Sequence, residues 1–393
     1  MKLSIGNPVQ GDDFFDREKE LRLLWDKLPR EHILMLAPRR IGKTSILNKL
    51  IVDAEAHGFQ ATEICRVARC QNELDCVNEI IAAISKNHSD FTEAFKKRLD
   101  RVKSASLSFT GVKVDFDASQ PEQWRDVGKE LASVLQDLGG QWLIPVDELP
   151  SFVLALLRQE NGLNRTQQFL DWFRALRQEH YQTIHWVLAG SIGLDTVTAR
   201  LNLGDTINDL SIFPLDAFTA PVAQRFLKKL SDSYHMDLSE EVIDYMIQRV
   251  GWPIPFYLQL LFSAMRDQQL NSDTGDALFD IAAVDDAFES LLTPSHKGYF
   301  DYWRQRLTEE LENPDSDYAV HLLNTICRDV SGMRRESLQQ ALSEVIQNPE
   351  EKQNKLNYLL DILLNDGYLI ENQQRYQFRL EWLREYWLRR VAI

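Results

Sequence analysis

Residues 32–47 read HILMLAPRRIGKTSIL, a continuous apolar run that stops at Pro38 and gives way, after two arginines, to Gly42-Lys43-Thr44 and an apolar-periodic segment. A short run without polar alternation is the pattern of a strand buried on both faces, which belongs to a parallel sheet covered by helices. A helix that starts just after such a strand presents backbone N–H groups without partners, and an anion is favoured there. Glycine lets the backbone approach a phosphate, lysine reaches the terminal phosphates, and a hydroxyl ligates Mg2+. Gly42, Lys43 and Thr44 supply these in that order, although Ala37 stands where the full G-x-x-x-x-G-K-[ST] pattern has its first glycine. The bland alternative is a helix start that holds Gly-Lys-Thr by chance. The strand before it and the helix after it favour the phosphate cradle.

A phosphate cradle calls for a carboxylate on the metal and a group that orients the attacking water. The segment QWLIPVDELP offers both, as an apolar run ending in Asp147-Glu148. Asp147 would hold the metal and Glu148 would polarise the nucleophile; the alternative is a pair of acids capping the helix that follows. Pro145 is out of place here, because proline removes a ladder donor from what should be a central strand. A third apolar run, HWVLAGSIG, ends at Ser191, either a polar tip that senses the γ-phosphate or a small-residue turn. Its A-G-S-I-G is one substitution from the G-x-S-x-G nucleophile elbow. The first glycine and any HGGG-type oxyanion segment are missing, so an esterase is set aside.

Around these runs, strand-like and helix-like segments alternate over the first two thirds of the chain, as in an α/β parallel sheet. FQATEICRV reads as one strand, and SLSFTGVKVDF as a strand pair turning near Thr110-Gly111. From about Thr219 the segments are helical. Helices near 318–328, 334–346 and 352–365, followed by two short strands around Asn372-Gln373, suggest a winged helix, with ELENPDSD as linker. From Ser316 onward ten basic residues meet eleven acidic ones, and the whole chain carries −15, which argues against a strong DNA reader. Lys352, Lys355, Arg375 and Arg379 are the cations of interest. The tryptophans near 303 and 382–387 have the spacing of packed helix faces. Four cysteines without C-x-x-C spacing and scattered histidines predict neither disulfides nor a zinc site. The absence of an apolar leader or a run of about 20 apolar residues sets the expectation of a cytoplasmic protein without a membrane span.

With FFDREKEL, APRRIGKTS, VDELP, LAGSIGL, GWPIPFYLQLL, LLTPSHKGYFDYWRQRL and LLNDGYLIENQQRYQFRLEWLREYW, the chain resembles the archaeal-type ATPases of the STAND-like P-loop group, near the AAA+ ATPases. The resemblance implies an α/β fold: a P-loop NTPase parallel sheet with a helical lid domain and a C-terminal winged-helix domain, at 1–217, 218–312 and 313–393. It implies ATP and Mg2+ as ligands. Arg17 and Glu18 would flank the adenine. Ala37, Pro38, Arg39, Arg40, Ile41, Gly42 and Ser45 would form the phosphate loop, with Lys43 and Thr44 on phosphates and metal. Asp147 and Glu148 would be the Walker B pair, Ser191 would sit on the sensor strand, and Pro253 or Pro255 would be the nucleotide-contacting proline of the lid. Arg200 is either an arginine finger acting on a neighbouring subunit or a solvated surface arginine.

The function expected is an ATP-binding and ATP-hydrolysing switch that couples nucleotide state to the winged helix, with a protein partner or self-association. A DNA-binding ATPase of origin-recognition or transposition-regulator type, and a nucleotide-binding scaffold without turnover, are the alternatives.

Overall fold

A computed structural model describes residues 1–99, 105–108, 113–116, 123–191, 193–271, 279–311 and 313–392. The chain divides into two compact units, Arg17–Leu215 and a second one made of Met1–Asp16 with Asp216–Ile393.

The first unit runs α1 (Glu18–Lys27), β1 (His32–Leu36), α2 (Lys43–Asp53), β2 (Phe59–Ala61), β3 (Cys65–Arg66), α3 (Glu73–Ser85), α4 (Ser89–Leu99), β4 (Ala105–Ser108) and β5 (Lys113–Phe116). It continues with α5 (Trp124–Leu138), β6 (Gln141–Asp147), α6 (Leu149–Leu157), α7 (Gly162–Glu179), β7 (Ile184–Gly190), α8 (Leu194–Arg200) and β8 (Leu210–Pro214). The main sheet has the order β2-β6-β7-β1-β8, with β3 also on β6. Every pairing in it is parallel. The apolar runs of β1, β6 and β7 are its three central strands, and Ile33, Leu34, Ile144, Trp186 and Val187 are fully buried between the helical layers. Aromatic rings fill one layer, where Trp172 stands edge-on to Trp124 at 4.9 Å. Gly128 in α5 makes room for that ring: a Cβ there would lie 2.1 Å from Trp172 Cζ2. The strand pair β4–β5 forms as expected and is antiparallel; its turn near Thr110-Gly111 lies outside the described residues. Strand β8 and helix α8 had no clear sequence signal.

One buried polar cluster fixes the edge of this sheet. Arg177, 1% exposed, donates to both carboxylate oxygens of Asp209 at 2.8 and 2.7 Å and to Thr206 O at 2.8 Å. Its own carbonyl accepts from His32 Nε2 (3.1 Å), while His32 Nδ1 accepts the Trp186 N–H (3.4 Å). The ring is therefore held as the neutral Nε2–H tautomer.

The second unit is helical first: α9 (Ala220–Tyr234), α10 (Glu240–Val250), α11 (Pro255–Asn271), α12 (Ile281–Ser290) and α13 (Asp301–Glu310). Then come α14 (Asp315–Ile326), β9 (Met333–Arg334), α15 (Arg335–Leu342), α16 (Pro349–Asn365), β10 (Leu369–Asn372), β11 (Arg375–Phe378) and α17 (Glu381–Arg390). Helix, strand, two helices and a hairpin that closes a three-stranded antiparallel sheet (β10-β11-β9) give the element order of a winged helix. The hairpin turns on Gln373 and Gln374, both left-handed (φ 48° and 62°), one residue beyond the expected position. The short β9 carried no readable strand pattern.

The helical segment and the winged-helix segment share buried bonds. Trp303 Nε1 donates to Tyr257 Oη (3.0 Å), and Tyr368 Oη donates to the Trp303 carbonyl (2.7 Å). Arg306 pairs with Asp366 at 2.9 Å, both side chains only 5% exposed. Trp382 stacks on Phe288 (4.7 Å) and donates to its carbonyl. Trp303, Trp382 and Trp387 are buried, as their spacing predicted.

Burial pushes the His32 imidazole down from 6.5 to about 4, and His180 and His185 are lowered for the same reason. As pH falls, the unfolded chain takes up these protons before the folded chain does. The stability that neutral His32 contributes is whole above its unfolded value and drains away between 6.5 and about 4, on the order of 3 kcal/mol in all. The urea midpoint should therefore drop from about pH 7 to about pH 5, and the drop should shrink in His32→Gln.

Candidate functional site

In an open parallel sheet, ligands collect at the carboxyl ends of the strands. Here the neighbouring strands β6, β7 and β1 end at Asp147, Gly190 and Leu36. The candidate residues follow these ends directly.

The β1 ladder extends one residue past the strand, where the Ala37 N–H donates to Gly190 O (3.4 Å). Ala37 takes no left-handed conformation, so the site does not need the glycine of the full pattern at this position. The loop then bends through Arg40 (φ 70°) and Gly42 (φ 110°), with Ile41 buried as its anchor. Gly42 is needed for its backbone: a Cβ would meet nothing within 4 Å, yet L side chains rarely adopt that φ. The same open space leaves room beside the first turn of α2. Lys43 is buried, and its ammonium donates to Ala37 O (2.5 Å) and Pro38 O (2.9 Å). Ser45 is buried one residue past Thr44.

Thr44 Oγ1 donates to Asp147 Oδ2 at 2.9 Å, tying the start of α2 to the end of β6. Burial raises the Asp147 pKa above its ordinary value, and the Glu148 charge adds to this; the Thr44 hydrogen bond, Lys43 and Arg66 oppose it. Glu148 is left-handed (φ 62°) at the N-terminus of α6, and its Oε2 accepts from Ser191 Oγ (2.9 Å), Ser191 N–H (3.3 Å) and Ser151 Oγ (3.2 Å). Arg39 Nε reaches Ser191 Oγ at 3.4 Å. The structure thus gathers Arg39, Lys43, Thr44, Asp147, Glu148 and Ser191 at one edge of one sheet.

Other expected residues lie elsewhere. Arg17, left-handed (φ 79°) and 5% exposed, precedes α1 and donates to Glu20 Oε1 at 2.8 Å. Arg200 is the half-buried last residue of α8. Pro253 belongs to the second unit, where its carbonyl accepts the Phe218 N–H (3.1 Å), and Pro255 opens α11.

Two residues escaped the sequence reading. Arg66 ends β3 in register with Asp147. It was legible as a cation at the end of a strand. Ser151 sits three residues after Glu148, a helical spacing that puts its hydroxyl back over the glutamate. FQATEICRV is also not one strand: it splits into β2 and β3, and Pro145 supplies the reason. The Trp142 N–H donates to Thr183 O on the β7 side, and the Thr62 N–H donates to Leu143 O on the other side. Alternation along β6 then aims the nitrogen of Pro145 at the β2–β3 side, between the β2 pairing that ends at Leu143 and the β3 pairing that starts at Val146. The proline has no N–H to give, and the outer strand breaks opposite it.

The donor set suits Mg2+: a hydroxyl and a carboxylate, with space beside the loop. Among the described residues no group of three His, Cys, Asp or Glu could cage a metal. Mg2+ does not need one, since it is usually held by one or two carboxylates together with substrate phosphates.

The sheet order and the strand–loop–helix at its centre decide the fold. It is the α/β fold of P-loop NTPases. No family model and no curated protein matches the chain. Solved structures do. The Walker-type ATPase PABY2304 of Pyrococcus abyssi is 19% identical with a TM-score of 0.65, over 98% of this chain and 99% of that one. The ORC2 protein of Aeropyrum pernix, solved as ADPNP–ADP complexes, is 11% identical with a TM-score of 0.55, over 98% of each chain. At such identities the likeness is one of fold. No helix among the described residues is long and apolar enough to cross a membrane.

Because no donor is required at position 145, Pro145→Val should change the urea-derived stability by less than about 1 kcal/mol, whereas a proline in an unbroken ladder site costs more.

Proposed function

We propose that the chain binds ATP with Mg2+, hydrolyses it, and uses the state of that site to switch the unit that carries the helical lid and the winged helix. The observation that carries this reading is the Thr44–Asp147 hydrogen bond of 2.9 Å beside buried Lys43, at the carboxyl ends of two central strands separated by β7. The similar structures support it, one named a Walker-type ATPase and the other holding ADPNP and ADP.

In this reading the first-turn N–H groups of α2 cradle the phosphates. Lys43 exchanges the carbonyls of Ala37 and Pro38 for phosphate oxygens, and Arg39 and Arg40 add positive charge to the loop. Thr44 and Asp147 would hold Mg2+, which when bound neutralises charge on the phosphate oxygens. Glu148 accepts a hydrogen bond from the attacking water, and Ser191 joins it to β7. Arg200 is retained as a group acting on the nucleotide of a neighbouring copy.

We retain 1–217, 218–312 and 313–393 as the functional division of the chain. The buried Tyr257–Trp303–Tyr368 chain and the Arg306–Asp366 pair make the lid and the winged helix respond together. The partner read from charge is a protein or a second copy rather than DNA. Lys352 donates to Ser343 Oγ (2.7 Å), Lys355 pairs with Asp315 (2.6 Å), Arg375 spans Asp329 and the Gly332 carbonyl, and Arg379 lies 4.1 Å from the Trp252 ring centre. All four cations considered for DNA are engaged within the protein.

Calorimetry and steady-state hydrolysis test the site. Lys43→Ala should weaken ATP binding about tenfold or more, and Glu148→Gln should keep binding while turnover falls roughly a hundredfold. Wild type without nucleotide binding would refute the assignment. Asp147 must be ionised to take Mg2+, and its pKa is raised. The Mg2+-dependent part of the affinity should therefore weaken as pH falls, starting above the range in which an ordinary aspartate titrates.

A further inference from the structure

We propose that Ser151 is a positioning residue for ATP hydrolysis, acting through Glu148; this rests on the ATPase reading above. A short polar side chain at a helix N-cap ordinarily accepts from the first N–H groups. Glu148 does not: its side chain makes no cap bond to α6, and the residue at the second helical position, Pro150, has no N–H to offer. The Ser151 N–H is taken by the Glu148 carbonyl (3.1 Å), which leaves the Ser151 hydroxyl as the group that reaches the carboxylate (3.2 Å). Ser191, the residue after β7, gives its hydroxyl (2.9 Å) and its N–H (3.3 Å) to the same oxygen, Oε2.

Donors from two elements thus converge on one oxygen, and among the described residues no hydrogen bond engages Oε1. A carboxylate held this way cannot rotate freely, and Oε1 remains as the acceptor for water. The left-handed backbone of Glu148 (φ 62°, ψ 38°) is the strain that sets the side chain off in this direction. In the reaction, the water oxygen bonds to the γ-phosphorus as the bond from that phosphorus to the β,γ-bridging oxygen breaks. ADP leaves with that oxygen. One water proton passes to Oε1 and then to the released phosphate or solvent, so the carboxylate is regenerated. Ser151 touches neither nucleotide nor water. It sets the angle of the group that does.

The test uses the full chain, with ATP affinity by calorimetry and steady-state hydrolysis measured in parallel. Ser151→Ala should lower kcat about tenfold, the worth of one hydrogen bond to a charged group, with KM and ATP affinity unchanged. Ser151→Thr, which keeps the hydroxyl, should restore most of the rate. An active wild type with an unchanged or faster Ser151→Ala variant overturns the proposal and leaves the ATPase reading intact. So does a Ser151→Thr variant as slow as Ser151→Ala, or a loss of affinity that matches the loss of rate. A wild type that binds ATP without turnover overturns both the hydrolytic reading and this one; a wild type that binds no ATP overturns the site itself.

Discussion

The parallel seating of β7 between β6 and β1 is the constraint on which the site depends. Leu36 lies in register with Gly190, and Asp147 with Ala189, so three chain segments far apart in sequence end at the same level. Because parallel strands need long crossovers, each strand end opens onto a loop that feeds a helix, and each delivers a different group. The first turn of α2, after β1, delivers an ammonium and a hydroxyl; the end of β6 and the residue after it deliver a carboxylate pair, and the residue after β7 delivers a serine. A one-residue slip of β6 would turn Asp147 to the other face of the sheet and separate it from Thr44.

The site also stores strain where it is useful. Arg40 and Glu148 carry positive φ, a conformation L side chains rarely adopt, while Gly42 takes its positive φ without that cost. These conformations are tolerated because buried Ile41, Lys43, Leu149 and Pro150 surround them with fixed packing. The raised pKa of Asp147 has the same origin: a carboxylate drawn into the protein with a hydroxyl and nearby cations as its compensation. A cation arriving at that carboxylate would relieve the cost of burial.

The groups at the strand ends were legible because apolar runs announce buried strands and because Gly-Lys-Thr and Asp-Glu follow them immediately. The helices of the second unit were legible from their periodicity. Short edge elements were not. Among the described residues β8 pairs with β1 alone, and Ser211 and Pro214 break its apolar run, with only Leu210 and Phe213 buried; β9 is two residues long. The split of β2 from β3 was hidden because its cause, Pro145, lies on a different strand about 80 residues away. Ala37 and Pro145 looked like defects in a motif. They are an ordinary strand end and the explanation of a broken neighbour. Ser151 was legible only as a hydroxyl at helical spacing from Glu148; the direction of its donation comes from the structure.

The central claim is that this strand edge is a Mg2+–nucleotide site built on Thr44 and Asp147. Titration calorimetry of ATP into the full chain, with Mg2+ and with excess chelator, tests it directly when repeated on Thr44→Ala. The account predicts binding that depends on Mg2+ in wild type and a Mg2+ dependence that largely disappears in Thr44→Ala. Wild-type binding indifferent to Mg2+, or a Thr44→Ala variant with the full Mg2+ dependence, would contradict it.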